Sequence, residues 1–171
     1  MTADSGSTLE KLVTILGSAG LLTAAADVEP YLTDQRRLYR GRALAVAMPR
    51  TTQEVSRVLA LCNERRVGVV PHGGNTGYCG GTAPSESGDQ LVVALARLNR
   101  IRAVDALNYS LIAEAGCVLA TVQEAADAAE RFFPLSLGAE GSCQIGGNLS
   151  TNAGGTNVVR YGMARELVLG L

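Results

Sequence analysis

The sequence has few of the residues that build metal centres and disulfide scaffolds. Its 171 residues contain one histidine and four cysteines, the latter at positions 62, 79, 117 and 143. No two cysteines are close in sequence, so neither a CxxC zinc site nor a compact disulfide framework is supported. We therefore predict no metal ligands, and we expect reduced thiols in a cytoplasmic protein.

Charged residues and long apolar runs are also scarce. Charged residues make up 18% of the chain, against an average of about 25%, and the net charge is −1. The longest mostly apolar stretch, residues 12–26, contains threonine and glycine and is shorter than the ~20 residues of a membrane span. A chain of this length can bury roughly 70% of its unfolded surface. The composition predicts a globular domain without a membrane span or a nucleic-acid partner.

Capping patterns and apolar spacing predict three helices. Ser7 and Glu10 form a capping box ahead of apolar positions 9, 12, 13 and 16. The acidic residues here favour a surface helix over a secretory signal peptide. The same pattern begins at Thr51, ahead of apolar positions 55, 58, 59 and 62, and at Thr121, ahead of positions 122, 125, 126 and 129.

Strands are predicted around these helices. Alternation at 44, 46 and 48 indicates a strand that Pro49 ends, and the run 67–70 indicates another that Pro71 ends. We expect a right-handed crossover between them. Further strands are predicted at 91–95, 101–104 and 110–114. The closing run, residues 167–171, has the pattern of a strand that is just beginning, and it predicts that the chain is a fragment.

Glycine is concentrated in two windows, since seven of the 20 glycines lie in 68–88 and seven in 138–162. The first window contains loop one, Pro71 to Gly81, directly after a predicted strand. Glycine lets the backbone approach a ligand closely, and consecutive N–H groups can form an anion-binding nest. The second window contains loop two, Pro134 to Gly155, in which only neutral side chains occur from position 141 onward.

The residues alone leave two interpretations of these loops equally open. They could bind a bulky anionic cofactor with a planar ring, or they could be glycine-rich structural turns. The GxGxxG pattern of Rossmann domains, the GxxxxGK[ST] pattern of P-loops and the GxSxG nucleophile elbow are all missing from the sequence.

Five motifs in order carry a resemblance to a known family. They are Pro71-x-Gly-Gly-Asn-Thr-Gly77, Glu114-Ala-Gly-Cys-Val118, Gly141-Ser-Cys-x-Ile-Gly-Gly-Asn148, Thr151-Asn-Ala-Gly-Gly155 and Arg160-Tyr-Gly162. Together they resemble the FAD-binding domain of the vanillyl-alcohol oxidase/p-cresol methylhydroxylase flavoproteins. Within that family they are most similar to the FAD-linked D-2-hydroxy acid dehydrogenases, which include D-2-hydroxyglutarate and D-lactate dehydrogenases.

The resemblance implies an α+β fold of two α/β subdomains with FAD between them. Residues 1–29 would form an N-terminal helical segment, and residues 30–171 the FAD-binding domain, with its second subdomain cut short at the C-terminus. Backbone N–H groups of loop one would wrap the FAD pyrophosphate, and loop two would line the rest of the cofactor. The cofactor-binding residues that the resemblance implies are Pro71, His72, Gly73, Gly74, Asn75, Thr76, Gly77, Gly81, Pro134, Leu137, Gly138, Gly141, Ser142, Ile145, Gly146, Gly147, Asn148, Thr151, Asn152 and Gly155.

Two departures from the family pattern matter. Some members attach FAD covalently through a histidine that follows the Gly-Gly pair of loop one. Here Asn75 stands at that position, so we predict non-covalent FAD. His72 precedes the pair, and we interpret it as a residue that shapes the loop or contacts FAD rather than as a base. The family's substrate-binding domain follows the FAD domain, so we predict no catalytic residue and no metal ligand in this chain.

The function that the resemblance implies is oxidation of a D-2-hydroxy acid to a 2-oxo acid, with hydride transfer to flavin N5. A missing C-terminal domain would hold the small-molecule substrate, the electron acceptor stays open, and the complete protein is expected to form a homodimer. We expect this chain alone to be inactive. Two alternatives stand beside this hypothesis. One is a non-catalytic FAD- or nucleotide-binding remnant, and the other is a nucleic-acid interaction domain based on the arginines at 36, 37, 40 and 42.

Four further side chains have simpler interpretations. Tyr78 is either a ring that stacks on the cofactor or a packed aromatic. Cys62 and Cys143 are expected in the core, because the sequence offers no second histidine to activate a thiol. Glu140 is expected to be a surface or turn residue rather than a general base.

Overall fold

The computed structural model describes residues 5–171, and it divides into two compact units. The first unit extends to Arg97, and the second runs from Leu98 to Leu171. The helices and strands of the first unit are α1 (Ser5–Leu16), β1 (Leu21–Leu22), α2 (Ala25–Val28), β2 (Ala45–Ala47), α3 (Thr52–Arg65), β3 (Val69–His72) and β4 (Leu91–Ala94), with short 3-10 helices at Ser18–Gly20 and Glu29–Tyr31. Those of the second unit are β5 (Ile101–Asp105), β6 (Ser110–Ala113), α4 (Leu119–Asp127), α5 (Ile145–Ser150), α6 (Val158–Tyr161) and a 3-10 helix at Ala164–Leu167.

The first unit is built on a four-stranded sheet with the order β1-β2-β4-β3. Strands β2 and β3 both run parallel to β4, and β1 runs antiparallel to β2. Every residue of β2 and β4 is buried, as expected for parallel strands that are covered on both faces. One face packs on α1 and α3 through Leu12, Val58 and Cys62, and the other packs on Val28, the last residue of α2.

Two details of the predicted helices change in the first unit. Helix α1 begins at Ser5, so Ser7 lies inside it and the predicted capping box there is wrong. Helix α3 does begin as predicted, because the Thr51 hydroxyl accepts a hydrogen bond from the Glu54 N–H. The apolar face of α3 is shifted, however: Leu61 is buried, whereas Leu59 is 43% exposed.

Pro71 does not end strand β3, contrary to the prediction. It lies within the strand, opposite Val93 of β4, and the strand continues to His72. The reason is the position of β3 at the edge of the sheet, where it pairs with β4 alone. A proline, which has no N–H to donate, is tolerated on such an edge strand.

The second unit has an antiparallel hairpin, β5–β6, and a small separate core. That core is formed by Leu119, Leu135, Cys143 and Ala164. Helix α4 begins at Leu119 with Val118 as its N-cap, so the capping box predicted at Thr121 is wrong. Residues 168–171 join none of the strands described between residues 5 and 171, so the strand predicted at 167–171 is also wrong. Each helix in residues 5–171 falls short of the length and apolar character of a membrane-spanning helix.

Candidate functional site

Loop one leaves the carboxyl end of the parallel strand β3 with its backbone donors free. Within the part of the chain that the structure describes, the N–H groups of residues 73–77 donate to no backbone or side-chain acceptor. A side chain added at Gly77 or Gly81 would meet no atom within 4 Å. Consecutive free N–H groups beside open space are what an anion-binding nest requires.

The side chain of Asn75 fixes the shape of loop one. Its Nδ2 donates to the Thr33 carbonyl oxygen at 2.9 Å, and its Oδ1 accepts from the Thr82 hydroxyl at 2.6 Å. Asn75 has a φ of 52°, a left-handed conformation that asparagine adopts more readily than most residues. Both ends of its amide are therefore used within the protein, and the peptide on either side is held in place.

His72 is buried beneath loop one without a hydrogen-bond partner. It is 6% exposed, its ring lies edge-on to Tyr31 with 5.0 Å between ring centroids, and neither ring nitrogen has a partner in residues 5–171. Burial lowers the pKa of His72, and the nearby Gly73 backbone opposes this only in part, without forming a hydrogen bond of ordinary geometry. Burial therefore favours the neutral form of the ring, which packs against Tyr31, and the loop-shaping role of His72 stays a prediction.

Loop two differs from the prediction because it contains a helix. Helix α5 occupies Ile145–Ser150, and Arg165 donates to the last carbonyl groups of that helix, those of Leu149 (2.8 Å) and Ser150 (2.8 Å). The spacing of Ile145 and Leu149 was the available signal for this helix. It was obscured by Gly146 and Gly147, which are poor helix formers.

Two glycines of loop two are required by packing. The Gly146 N–H donates to the Ala115 carbonyl oxygen at 2.7 Å, and a methyl group at Gly146 would lie 2.9 Å from the Ala115 Cβ. Gly155 has a φ of 114°, and a methyl group there would overlap the Ser136 carbonyl oxygen. These two candidates are explained by contacts within the second unit itself.

Three other glycines of loop two are open. A side chain at Gly138, Gly141 or Gly147 would meet no atom within 4 Å. Their N–H groups donate to no acceptor in residues 5–171, so they can serve a ligand. Nearby, the exposed Ser142 hydroxyl makes only a long contact, 3.4 Å, with the Ala139 carbonyl oxygen.

The polar side chains of the other predicted cofactor-binding residues in loop two form hydrogen bonds mainly to other residues of the second unit. Asn148 is buried and donates to the Cys143 sulfur at 3.5 Å, and the Thr151 hydroxyl donates to the Gly147 carbonyl oxygen. Asn152 accepts from the Arg165 N–H at 3.1 Å. Pro134, Ile145 and Asn148 also line an apolar groove of about 650 Å³, and Leu137 packs against the core of the second unit.

Burial and hydrogen bonding decide between the interpretations of the four single side chains considered in the sequence analysis. Cys62 and Cys143 are buried, as predicted. Glu140 closes a turn by accepting from the Ser136 hydroxyl and the Leu137 N–H. Tyr78 is 70% exposed, so it is not a packed core aromatic. Within residues 5–171, His, Cys, Asp and Glu side chains form no cluster of three that could hold a metal ion.

Sequence reasoning missed the charge cluster around Glu114. Its buried carboxylate accepts from the guanidinium groups of Arg100 (2.9 Å) and Arg102 (3.0 Å) and from the Arg100 N–H (3.0 Å). The hydrogen bonds from Arg100 are the main cause that lowers the pKa of Glu114 to about 2. The arginines at alternate positions 100 and 102, at the start of β5, were the available signal. These hydrogen bonds tie the start of the hairpin, at Arg100 and Arg102, to Glu114 just after β6.

The residues present fit a phosphate-bearing cofactor. Loop one offers five consecutive free N–H groups, and Gly77 and Gly81 leave room beside its backbone. Both loops lack cationic side chains, so recognition would rest on backbone dipoles rather than on a lysine. FAD carries a pyrophosphate that suits such donors.

Comparisons with known proteins agree with this geometry. The chain is 42% identical to the mitochondrial D-2-hydroxyglutarate dehydrogenase of Arabidopsis thaliana over 157 residues, which is 92% of this chain and 28% of the relative. It is also 42% identical to the mitochondrial D-2-hydroxyglutarate dehydrogenase of Bos taurus (88% of this chain, 27% of the relative) and to the D-2-hydroxyglutarate dehydrogenase of Xanthomonas citri (88% and 32%). The chain thus spans about three tenths of the length of these relatives.

Solved structures share the fold. A structure of alkyldihydroxyacetonephosphate synthase matches with a TM-score of 0.87 at 16% identity, over 95% of this chain and 32% of that one. Substrate-bound p-cresol methylhydroxylase matches with a TM-score of 0.76 at 20% identity, over 90% and 31%. The predicted mixed α and β fold of the p-cresol methylhydroxylase type and the predicted FAD cofactor are confirmed. Residues 43–171 match the family model described as FAD binding domain, and the chain belongs to that family.

Proposed function

We propose that this chain is the FAD-binding portion of an oxidoreductase that oxidises a D-2-hydroxy acid to a 2-oxo acid. The observation that carries the proposal is the run of five unbonded N–H groups at residues 73–77, beyond the end of β3. The names of the relatives support the substrate class, because several are D-2-hydroxyglutarate dehydrogenases at 42% identity.

The chain's own residues would bind and orient the cofactor. N–H groups of residues 73–77 hold the pyrophosphate, while Asn75 and Thr82 keep that backbone in its binding conformation. In the second unit, taken by itself, the N–H groups of the open glycines at 138, 141 and 147 are also free. Bound FAD supplies a hydride acceptor at N5, which the side chains of this chain cannot provide.

We propose that FAD is held without a covalent bond. The position at which some family members carry a histidine is occupied by Asn75, and both ends of its amide are hydrogen-bonded within the protein. An amide is a poor nucleophile, and this one is also held in place. Affinity must therefore come from non-covalent contacts.

The groups that act on the substrate are proposed to lie in polypeptide beyond this chain, since the chain spans about three tenths of the length of its relatives. The substrate would be a small D-2-hydroxy acid, and homodimerisation of the complete protein remains a prediction. The competing hypothesis of a non-catalytic FAD-binding module makes the same prediction for cofactor binding and differs only in turnover.

A cytoplasmic location is also a proposal. All four cysteines are free and three are buried, which supports a reducing compartment. Relatives from Arabidopsis and cattle carry the word mitochondrial in their names, whereas the Xanthomonas relative does not. Fractionation of cells that express the tagged gene product would place it in the cytosol if the proposal holds, and in an organelle if it does not.

The test separates cofactor binding from turnover. The purified chain is denatured and the supernatant is examined for flavin absorption and fluorescence. Released flavin near one per chain supports non-covalent FAD, and flavin that stays on the polypeptide contradicts it. The complete gene product is then assayed with D-2-hydroxyglutarate and D-lactate and an artificial electron acceptor. Bound flavin without oxidation of either acid would favour the non-catalytic module.

A further inference from the structure

The basic cluster at residues 36–42 is not explained by the fold or by FAD binding alone. The structure places the segment that carries it, residues 33–42 (here called the arginine segment), alongside loop one and the residues that follow that loop. Four contacts join the arginine segment to loop one and the residues after it, and they follow each other in the same order along both segments. The four pairs are Thr33 with Asn75, Arg36 with Tyr78, Tyr39 with Gly80, and Arg42 with Ser85.

The turn that carries the arginines is held in shape by hydrogen bonds to a buried carboxylate. The Asp34 carboxylate, in a buried residue, accepts from the N–H groups of Arg36 (3.1 Å) and Tyr39 (2.7 Å). These backbone hydrogen bonds hold the pKa of Asp34 below its usual value, so the group is ionised. The arginines at 36, 37, 40 and 42 around this turn are all exposed.

Only one of the four arginines is directed at loop one. Arg40 forms a two-pronged pair with Glu29, at 2.6 and 2.9 Å, and Arg42 donates to the Glu86 carbonyl oxygen at 2.8 Å. Arg37 has no side-chain partner among residues 5–171. The Arg36 guanidinium lies over the Tyr78 ring, with 5.7 Å from Cζ to the ring centroid.

Loop one itself lacks positive charge. From Pro71 to Ser85 the sequence contains no Lys, Arg, Asp or Glu, and His72 is buried and neutral. The anion that loop one binds would therefore be met by backbone dipoles alone, unless a cation reaches it from outside. Tyr78 directly follows the free N–H groups of residues 73–77 along the chain, and the Arg36 guanidinium lies over its ring.

We propose that Arg36, held over Tyr78, is a cofactor-affinity residue that supplies the positive charge that loop one lacks. This inference rests on the proposed binding of FAD by loop one. The ring of Tyr78 keeps the guanidinium beside the loop through a cation–π contact, and the charge then attracts the pyrophosphate. The arginine segment would then supply positive charge to a cofactor site whose other side chains are neutral.

The experiment measures equilibrium binding of FAD, ADP and riboflavin to the wild-type chain and to Arg36→Gln. ADP carries the pyrophosphate without the flavin, and riboflavin carries the flavin without phosphate. Arg36→Gln should raise the Kd for FAD and for ADP by about two- to fivefold, the effect of one partly exposed charge, and should leave the Kd for riboflavin unchanged. The wild-type Kd for ADP should also rise more steeply with NaCl than that of the variant.

Arg37→Gln is the matched control. It removes the same charge from the neighbouring residue, which does not contact Tyr78, so its effect on the Kd for ADP should be less than half as large. Arg36→Lys should retain most of the affinity, and Tyr78→Leu should weaken ADP binding to about the level of Arg36→Gln. Thermal melting of each variant checks that the turn still folds.

The outcomes separate the inference from the function on which it rests. If the wild-type chain binds neither FAD nor ADP, the proposed function fails and the inference fails with it. If the wild type binds both and Arg36→Gln binds them equally well, or if Arg37→Gln weakens binding to the same degree, FAD binding stands and the role of Arg36 is wrong. Loss of riboflavin binding in Arg36→Gln would also contradict a charge-based role.

Discussion

Loop one and loop two have similar glycine content, yet the protein uses them differently. In loop one the N–H groups of residues 73–77 are unbonded, and side chains from outside the loop hold it in shape. In loop two a helix takes up part of the run, and Gly146 and Gly155 serve close contacts within the second unit. A glycine run marks a place where the backbone must approach something closely, and the neighbouring atoms decide whether that is a ligand or the chain itself.

The first prediction concerns Gly155, for which we expect the largest effect. Gly155→Ala forces a side chain into a backbone with a φ of 114° and against the Ser136 carbonyl oxygen. We expect the free energy of unfolding to fall by about 3 kcal/mol, or folding to fail. Urea denaturation followed by circular dichroism measures this. Gly141→Ala, in the same loop but with open space around it, is the control. Equal stability of the two variants would contradict a packing role for Gly155.

The two units also differ in the titratable group that each one buries. Glu114 in the second unit is satisfied by Arg100 and Arg102, whereas His72 in the first unit has no hydrogen-bond partner in residues 5–171. Both groups have a lowered pKa, Glu114 because of its partners and His72 because of burial. In both cases acid should destabilise the fold, but in different pH ranges.

The second prediction removes the charge of Glu114. Glu114→Gln leaves the two guanidinium groups without a carboxylate, and we expect a loss of about 1–3 kcal/mol, the range for a hydrogen bond to a charged group. The folded-state pKa lies near 2 and the ordinary value is 4.5. The stabilisation is therefore present above pH 4.5 and is lost as the pH falls toward 2. Urea midpoints of the variant should lose the part of the acid dependence that Glu114 causes. Glu124→Gln, at an exposed position of α4, should not change it.

The third prediction concerns His72, whose effect should be smaller and should occur at higher pH. The unfolded chain titrates near the ordinary value of 6.5, and the folded pKa is lower. Stability should thus be complete above pH 6.5 and should decline as the pH falls below it. His72 is the only histidine in the sequence, so we expect a decline between pH 6.5 and 5.5 to come from this side chain. His72→Phe keeps a ring against Tyr31 and should abolish the decline. A decline that persists in the variant would show that another group causes it.

The sequence predicted which segments form helices and strands better than it predicted the residues at which those helices and strands begin and end. The spacing of Val58 and Cys62 identified α3, and the β-branched run around Val92 identified β4, because burial against a sheet requires these patterns. The motif at residues 71–77 identified the loop whose N–H groups are free. Patterns could not show that Pro71 lies on an edge strand, that Gly146 packs against Ala115, or that Arg100 and Arg102 meet Glu114. Those facts depend on which distant segments come together.

The last prediction has the smallest effect on stability and tests the comparison of the two loops most directly. Gly77 makes no contact that a methyl group would disturb, and its φ is not in the left-handed region. Gly77→Ala should therefore change the free energy of unfolding by less than about 0.5 kcal/mol. If loop one faces the cofactor, the same methyl group occupies the space that FAD needs, and the Kd for FAD should rise at least about tenfold, equivalent to 1.4 kcal/mol. Gly155→Ala should lose stability because other residues of the protein occupy the space around Gly155. Gly77→Ala should lose affinity because bound FAD would occupy the space around Gly77. If Gly77→Ala keeps full affinity, the free N–H groups of loop one do not mark a backbone that faces the cofactor.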